Sequence, residues 1–127
     1  MIKKNTASSP NEIKTLGFFY RSENREAATW AKKISRWVIK HHPEVKFTEK
    51  KPDCLVVLGG DGSFLAAARK HQKQNPIILG LNLGRVGFLA SVRESKKFLK
   101  GLNRFLGGNF NVSGRIMLEA AVLRKRK

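Results

Sequence analysis

From Leu55 to Leu65 the chain runs Leu-Val-Val-Leu-Gly-Gly-Asp-Gly-Ser-Phe-Leu. Four consecutive Val or Leu residues suit a strand buried on both faces of a sheet. Three glycines around one aspartate then stop the run abruptly, supplying backbone angles that residues with a Cβ avoid. The stretch reads as strand, tight turn and helix start. In an open α/β sheet, ligands bind outside the carboxyl ends of the strands, where a beginning helix presents unsatisfied N–H groups and a partial positive charge. Phosphate is the natural guest.

The same residues also make a plain turn, with Asp61 merely capping the helix that follows. The pattern is neither the dinucleotide motif with glycines at its first, third and sixth places nor the phosphate loop ending in Gly-Lys-Ser/Thr. Without a lysine, the loop offers backbone donors plus one carboxylate. That carboxylate can accept a proton or hold a hydroxyl, but it repels a phosphate placed directly on it. This division of labour suits a kinase whose acceptor is an alcohol.

A chain of 127 residues makes one domain. Its apolar share of 41% and charged share of 28% are ordinary for a soluble globular protein, and no apolar run approaches the roughly 20 residues of a membrane span. The start, Met1 to Pro10, is basic without an apolar core behind it, so it is not a secretory signal and a cytoplasmic location is expected. Cys54, the single cysteine, reads as a small core residue. The charge is less ordinary: 26 Lys and Arg against 9 Asp and Glu give +17. Such a balance favours anionic ligands, nucleotides and nucleic acid alike, without choosing among them.

In chain order, residues 1–13 form a polar tail, and a first strand runs from about Ile13 to Tyr20. Ala27, Trp30, Ala31, Ile34, Trp37 and Val38 then share one helical face, opposite Lys32, Lys33, Arg36 and Lys40. His41-His42-Pro43 closes that helix; adjacent histidines diverge, so no metal site is assigned to them. A short strand is expected at Lys46–Glu49, and a helix from Asp61 to about Gln74 with Phe64, Leu65 and Ala68 turned inward. Ile77–Asn82 is another buried strand. Strand, helix, strand at this spacing predicts a right-handed parallel crossover, hence an α/β fold with a small doubly wound, mostly parallel sheet. A further helix is expected from Ser91 to about Gly107, with Phe98, Leu99, Leu102, Phe105 and Leu106 on one face, then extended segments kinked at Gly114 and a solvated basic end, Arg124 to Lys127.

The second informative stretch is Gly-Leu-Asn-Leu-Gly-Arg-Val-Gly-Phe-Leu at 80–89. Consecutive parallel strands bring their carboxyl ends to one edge, so this loop lies beside the first glycine turn. Asn82 can bond backbone or ligand, Gly84 and Arg85 continue a phosphate-friendly loop, and Phe88-Leu89 offers an apolar surface. By residue type alone, Phe88 serves as a core residue or as a wall for a purine, the core role being the commoner.

With both stretches read, the chain resembles the N-terminal domain of NAD kinase. The resemblance rests on Gly-Gly-Asp-Gly-Ser at 59–63, the 80–89 stretch, and Arg-Ile-Met-Leu-Glu-Ala at 115–120, in the family's order and approximate spacing, and covers about residues 14–123. The first motif is shared with diacylglycerol, sphingosine and phosphofructokinase families; the second is the specific one. The resemblance implies a Rossmann-like N-terminal domain over residues 14–113, with 114–127 opening a β-rich second domain that the chain lacks, together with its Asn-Glu or Asn-Asp pair. The Asn11-Glu12 pair precedes the first strand and does not match it.

The implied reaction is phosphoryl transfer from ATP or polyphosphate to the 2′-hydroxyl of the adenosine ribose of NAD, giving NADP, with a divalent metal, Mg²⁺ by expectation. Asp61 matches the catalytic aspartate. A loose transition state demands little base strength, so an ordinary carboxylate can orient the alcohol and collect its proton late. Gly62 and Phe88 match NAD-contacting positions, with Leu65 and Leu89 joining them. Gly59, Gly60, Asn82, Gly84 and Arg85 form the phosphate side, and no residue of the chain is assigned as a metal ligand. The expected partners are nucleotide substrates, without membrane or nucleic acid, and a homo-oligomer in the full-length family member. The rival readings are a lipid kinase of the diacylglycerol or sphingosine type and a non-catalytic basic module binding nucleotide or RNA.

Overall fold

The structure, a computed structural model, describes residues 12–83, Val92, residues 94–108 and Phe110. Strand β1 (Thr15–Phe19), helix α1 (Arg25–His41), the two-residue strand β2 (Lys46–Phe47), strand β3 (Cys54–Gly59), helix α2 (Asp61–Lys70), strand β4 (Ile77–Asn82) and helix α3 (Phe98–Leu106) follow one another, α3 being led in by a 3₁₀ turn at Ser95–Lys97. The strands form one sheet in the order β2-β1-β3-β4, and every pairing is parallel.

Alternation along β3 divides the core. Cys54, Val56 and Leu58 face the layer built from Ala27, Ala31, Ile34 and Val38 of α1 with Phe98, Leu102 and Phe105 of α3. Leu55 and Val57 face Phe64 and Ala67 of α2. All six residues of β3 are buried, which is why its sequence is a continuous apolar run instead of an alternating one. Helices therefore cover both faces of a doubly wound sheet. Trp30 and Phe98 meet edge to face with ring centroids 4.9 Å apart, so the aromatic stripe of α1 packs against α3.

Asn24 caps α1, its Oδ1 accepting the N–H of Ala27 at 3.0 Å. At the other end Trp37 lies beside the rings of His41 and His42, and His42 Nε2 lies 3.0 Å from Asn103 Oδ1 of α3. At the amino ends of β1 and β3, Asp53 Oδ2 accepts the N–H groups of Lys14 and Thr15 at 2.9 and 3.1 Å, while Thr15 Oγ1 accepts the N–H of Asp53 at 2.8 Å. This clamp fixes the register that sets Leu16 opposite Cys54.

Three expectations need correction. Leu65 is 54% exposed rather than turned inward: Ser63, Phe64 and Ala67 take the buried side of α2, and Leu65 follows Asp61 by one turn on the other side. Helix α2 stops at Lys70, because the N–H of His71 closes on Ala67 and Asn75, at φ 50°, bonds back to His71 in a separate turn. The third helix does not begin near Ser91, since Val92 forms a parallel bridge to Leu81, exchanging backbone bonds with Gly80 and Asn82 at 3.0 and 2.9 Å. Residues 1–11 of the tail and the 111–127 segment, with the kink at Gly114, lie outside the described residues.

Candidate active site

The sheet order turns back on itself between β1 and β3. β1 has β2 on one side and β3 on the other, and the chain leaves β1 for α1 on one face but leaves β3 for α2 on the opposite face. The two connections diverge and open a crevice at the carboxyl edge, the place where open parallel sheets bind ligands.

The glycine turn forms one lip of that crevice. Gly59 has φ 154°, and a Cβ on it would lie 2.6 Å from Ser63 Oγ, so no other residue fits there without strain. Ser63 is buried by this close approach. Gly60 differs: it is the N-cap of α2, no side chain among the described residues caps the helix, and a Cβ on it would meet no described atom within 4 Å. Asp61 is the first residue of the helix and half-buried, its carboxylate in the first turn, where the helix dipole favours a negative charge.

Asn82 sits beside this turn. It is 4% exposed, pairs in register with Gly59, and is followed by Leu83, whose N–H donates to the Gly59 carbonyl at 3.1 Å. The second glycine stretch therefore starts against the first, on the same edge, as its sequence implied. Gly84, Arg85, Phe88 and Leu89 lie outside the described residues.

A residue that motif reading passed over enters from the other lip. Arg21 follows β1, and its Nη2 lies 3.6 Å from where a Cβ on Gly62 would stand. Nothing around positions 20–24 announces it; the pairing of β1 with β3 brings it there. Among the described residues no group of three His, Cys, Asp or Glu side chains could hold a metal ion, and no helix is long and apolar enough to cross a membrane.

The profile of the ATP-NAD kinase N-terminal domain matches residues 18–110, which include both lips of the crevice. The chain belongs to this family. It is 43% identical over 75 residues to an NAD kinase of Natranaerobius thermophilus, covering 59% of this chain and 26% of that one. It is 32% identical over 132 residues to an NAD kinase of Syntrophotalea carbinolica, covering 88% and 46%. It therefore spans less than half the length of these curated relatives. The crystal structure of yeast NADH kinase complexed with NADH superposes with a TM-score of 0.67 at 18% identity, over 78% of this chain and 37% of that one, a likeness of fold. The ATP-NAD kinase fold of this domain is the doubly wound parallel sheet just described.

Proposed function

We propose that this domain serves phosphoryl transfer from ATP or polyphosphate to the 2′-hydroxyl of the adenosine ribose of NAD, yielding NADP. The observation that carries the reading is the position of Asp61: a carboxylate on the first residue of α2, raised on a glycine turn at the switch point of a parallel sheet. In such a transfer the protein's work is positioning and charge stabilisation, and a carboxylate that holds the acceptor alcohol and takes its proton late fits that demand.

The remaining residues divide around it. Gly59 shapes the turn and Gly60 opens α2, whose start no side chain among the described residues caps, and the phosphate lies beside it. Leu65, exposed one turn beyond Asp61, lines the adenosine side with Gly62, Phe88 and Leu89, while Asn82, Gly84 and Arg85 complete the phosphate side. Magnesium ions in phosphoryl-transfer sites ride largely on substrate phosphates, and among the described residues no group of three His, Cys, Asp or Glu could hold one, so such an ion would come with the donor. When bound it neutralises charge on the donor. Residues 14–113 act as the nucleotide-binding unit and 114–127 open the β-rich partner domain; the assembled enzyme works in the cytoplasm as a homo-oligomer.

The test is acceptor competition with the full-length gene product. ATP and polyphosphate are offered as donors against NAD, diacylglycerol and sphingosine as acceptors. NADP is the expected product, and Asp61→Asn lowers kcat by roughly a hundredfold or more while NAD affinity changes little. Turnover unchanged in Asp61→Asn, or a phosphorylated lipid as the product, refutes the proposal.

A further inference from the structure

Arg21 stands just beyond the end of β1. Its backbone carbonyl accepts the N–H of Asn24 at 2.9 Å, closing the turn that starts α1 and holding the residue at the end of β1. Its side chain reaches from the end of β1 to the first turn of α2, bringing Nη2 3.6 Å from the Cβ position of Gly62. A side chain larger than a methyl at position 62 would fill the space between guanidinium and turn.

That position is electrostatically odd for a cation. The amino end of a helix carries partial positive charge, so a guanidinium beside it is disfavoured unless negative charge shares the place. Asp61 supplies part of that charge. A phosphate chain would supply more, and the turn at 59–63 has no lysine of its own to meet it. Arginine fits such a place well, because its planar fork binds two phosphate oxygens at once and it keeps its charge at every working pH.

We infer that Arg21 binds the phosphoanhydride chain of the donor, closing over the glycine turn from the β1 side. The inference rests on the phosphoryl-transfer reading and extends it to a residue outside both glycine motifs. Arg21 supplies the cation that other phosphate loops draw from a lysine within the loop, and it faces charge spread over the phosphoryl oxygens during transfer.

The experiment compares full-length gene product, Arg21→Ala and Arg21→Lys, with far-UV circular dichroism and melting curves confirming that each is folded. KM is measured separately for ATP, for tripolyphosphate and for NAD, and affinity for a non-hydrolysable ATP analogue is measured by calorimetry. Arg21→Ala raises the donor KM and weakens analogue binding roughly tenfold or more, leaves the NAD KM within about twofold, and Arg21→Lys recovers part of the loss. A loss for both donors assigns the contact to the phosphate chain; a loss for ATP alone assigns it to the nucleoside and overturns the inference. Equal analogue affinity in wild type and Arg21→Ala also overturns it, whether or not the enzyme turns over. A wild type that binds the analogue through Arg21 but makes no NADP instead contradicts the choice of acceptor and leaves the arginine contact standing.

Discussion

Gly59 and Gly60 are neighbours of one residue type with opposite duties. Gly59 needs a backbone angle that L side chains rarely adopt and has Ser63 Oγ where its Cβ would go. Gly59→Ala should therefore cost about 1–3 kcal/mol of stability, read by urea unfolding. Gly60 has ordinary angles and a Cβ on it would meet no described atom within 4 Å, so Gly60→Ala should leave the unfolding midpoint nearly unchanged while weakening nucleotide binding in a calorimetric titration. His71, just past the end of α2, gives a pH signature. Its ring meets Phe19 edge on with centroids 6.3 Å apart, and burial, then the neighbouring Lys70, lower its pKa below the ordinary imidazole value. The unfolded chain then binds more protons than the folded one in a window below about pH 6.5, so stability is lost as pH falls through that window. Thermal melts between about pH 7 and about pH 5 should show this decline, and His71→Gln should flatten part of it. The position of Asp61 at the start of α2 was legible from its glycine setting, whereas the approach of Arg21 to that turn was not. An arginine in a polar turn has no local signal, and its role depends on which strand lies next to β1.

At the level of elements, the buried strand, the glycine turn and the helix start were readable because each obeys a local rule: an apolar run, a positive φ and a dipole-compatible carboxylate. Helix ends and the face of Leu65 were less so. A periodic pattern tolerates Leu65 on either side until Phe64 and Ala67 have claimed the sheet. The bridge from Val92 to Leu81 is a pairing between distant segments and leaves no mark in the local sequence. The clamp of Asp53 and Thr15 is of the same long-range kind. Asp53→Ala removes the acceptor for two backbone N–H groups at the amino ends of the strands, opposite the crevice, and should cost about 1–3 kcal/mol in denaturant unfolding. Because it lies at the far edge, the KM values for donor and acceptor should be unchanged in the same variant.

For the whole molecule, two helices on one face, one on the other and a parallel sheet between them fix where chemistry can occur. The order β2-β1-β3-β4 sends the connections after β1 and β3 to opposite faces of the sheet, so a crevice arises from connectivity alone. The formal charge of +17 favours the approach of anionic ligands. The central claim is that Asp61 faces the acceptor alcohol of NAD. A crystal structure of the full-length gene product with NAD tests it most directly. The account predicts the Asp61 carboxylate within hydrogen-bond reach, about 2.6–3.2 Å, of the adenosine 2′-hydroxyl. NAD bound at another edge of the sheet, or with that hydroxyl turned away from Asp61, would contradict it.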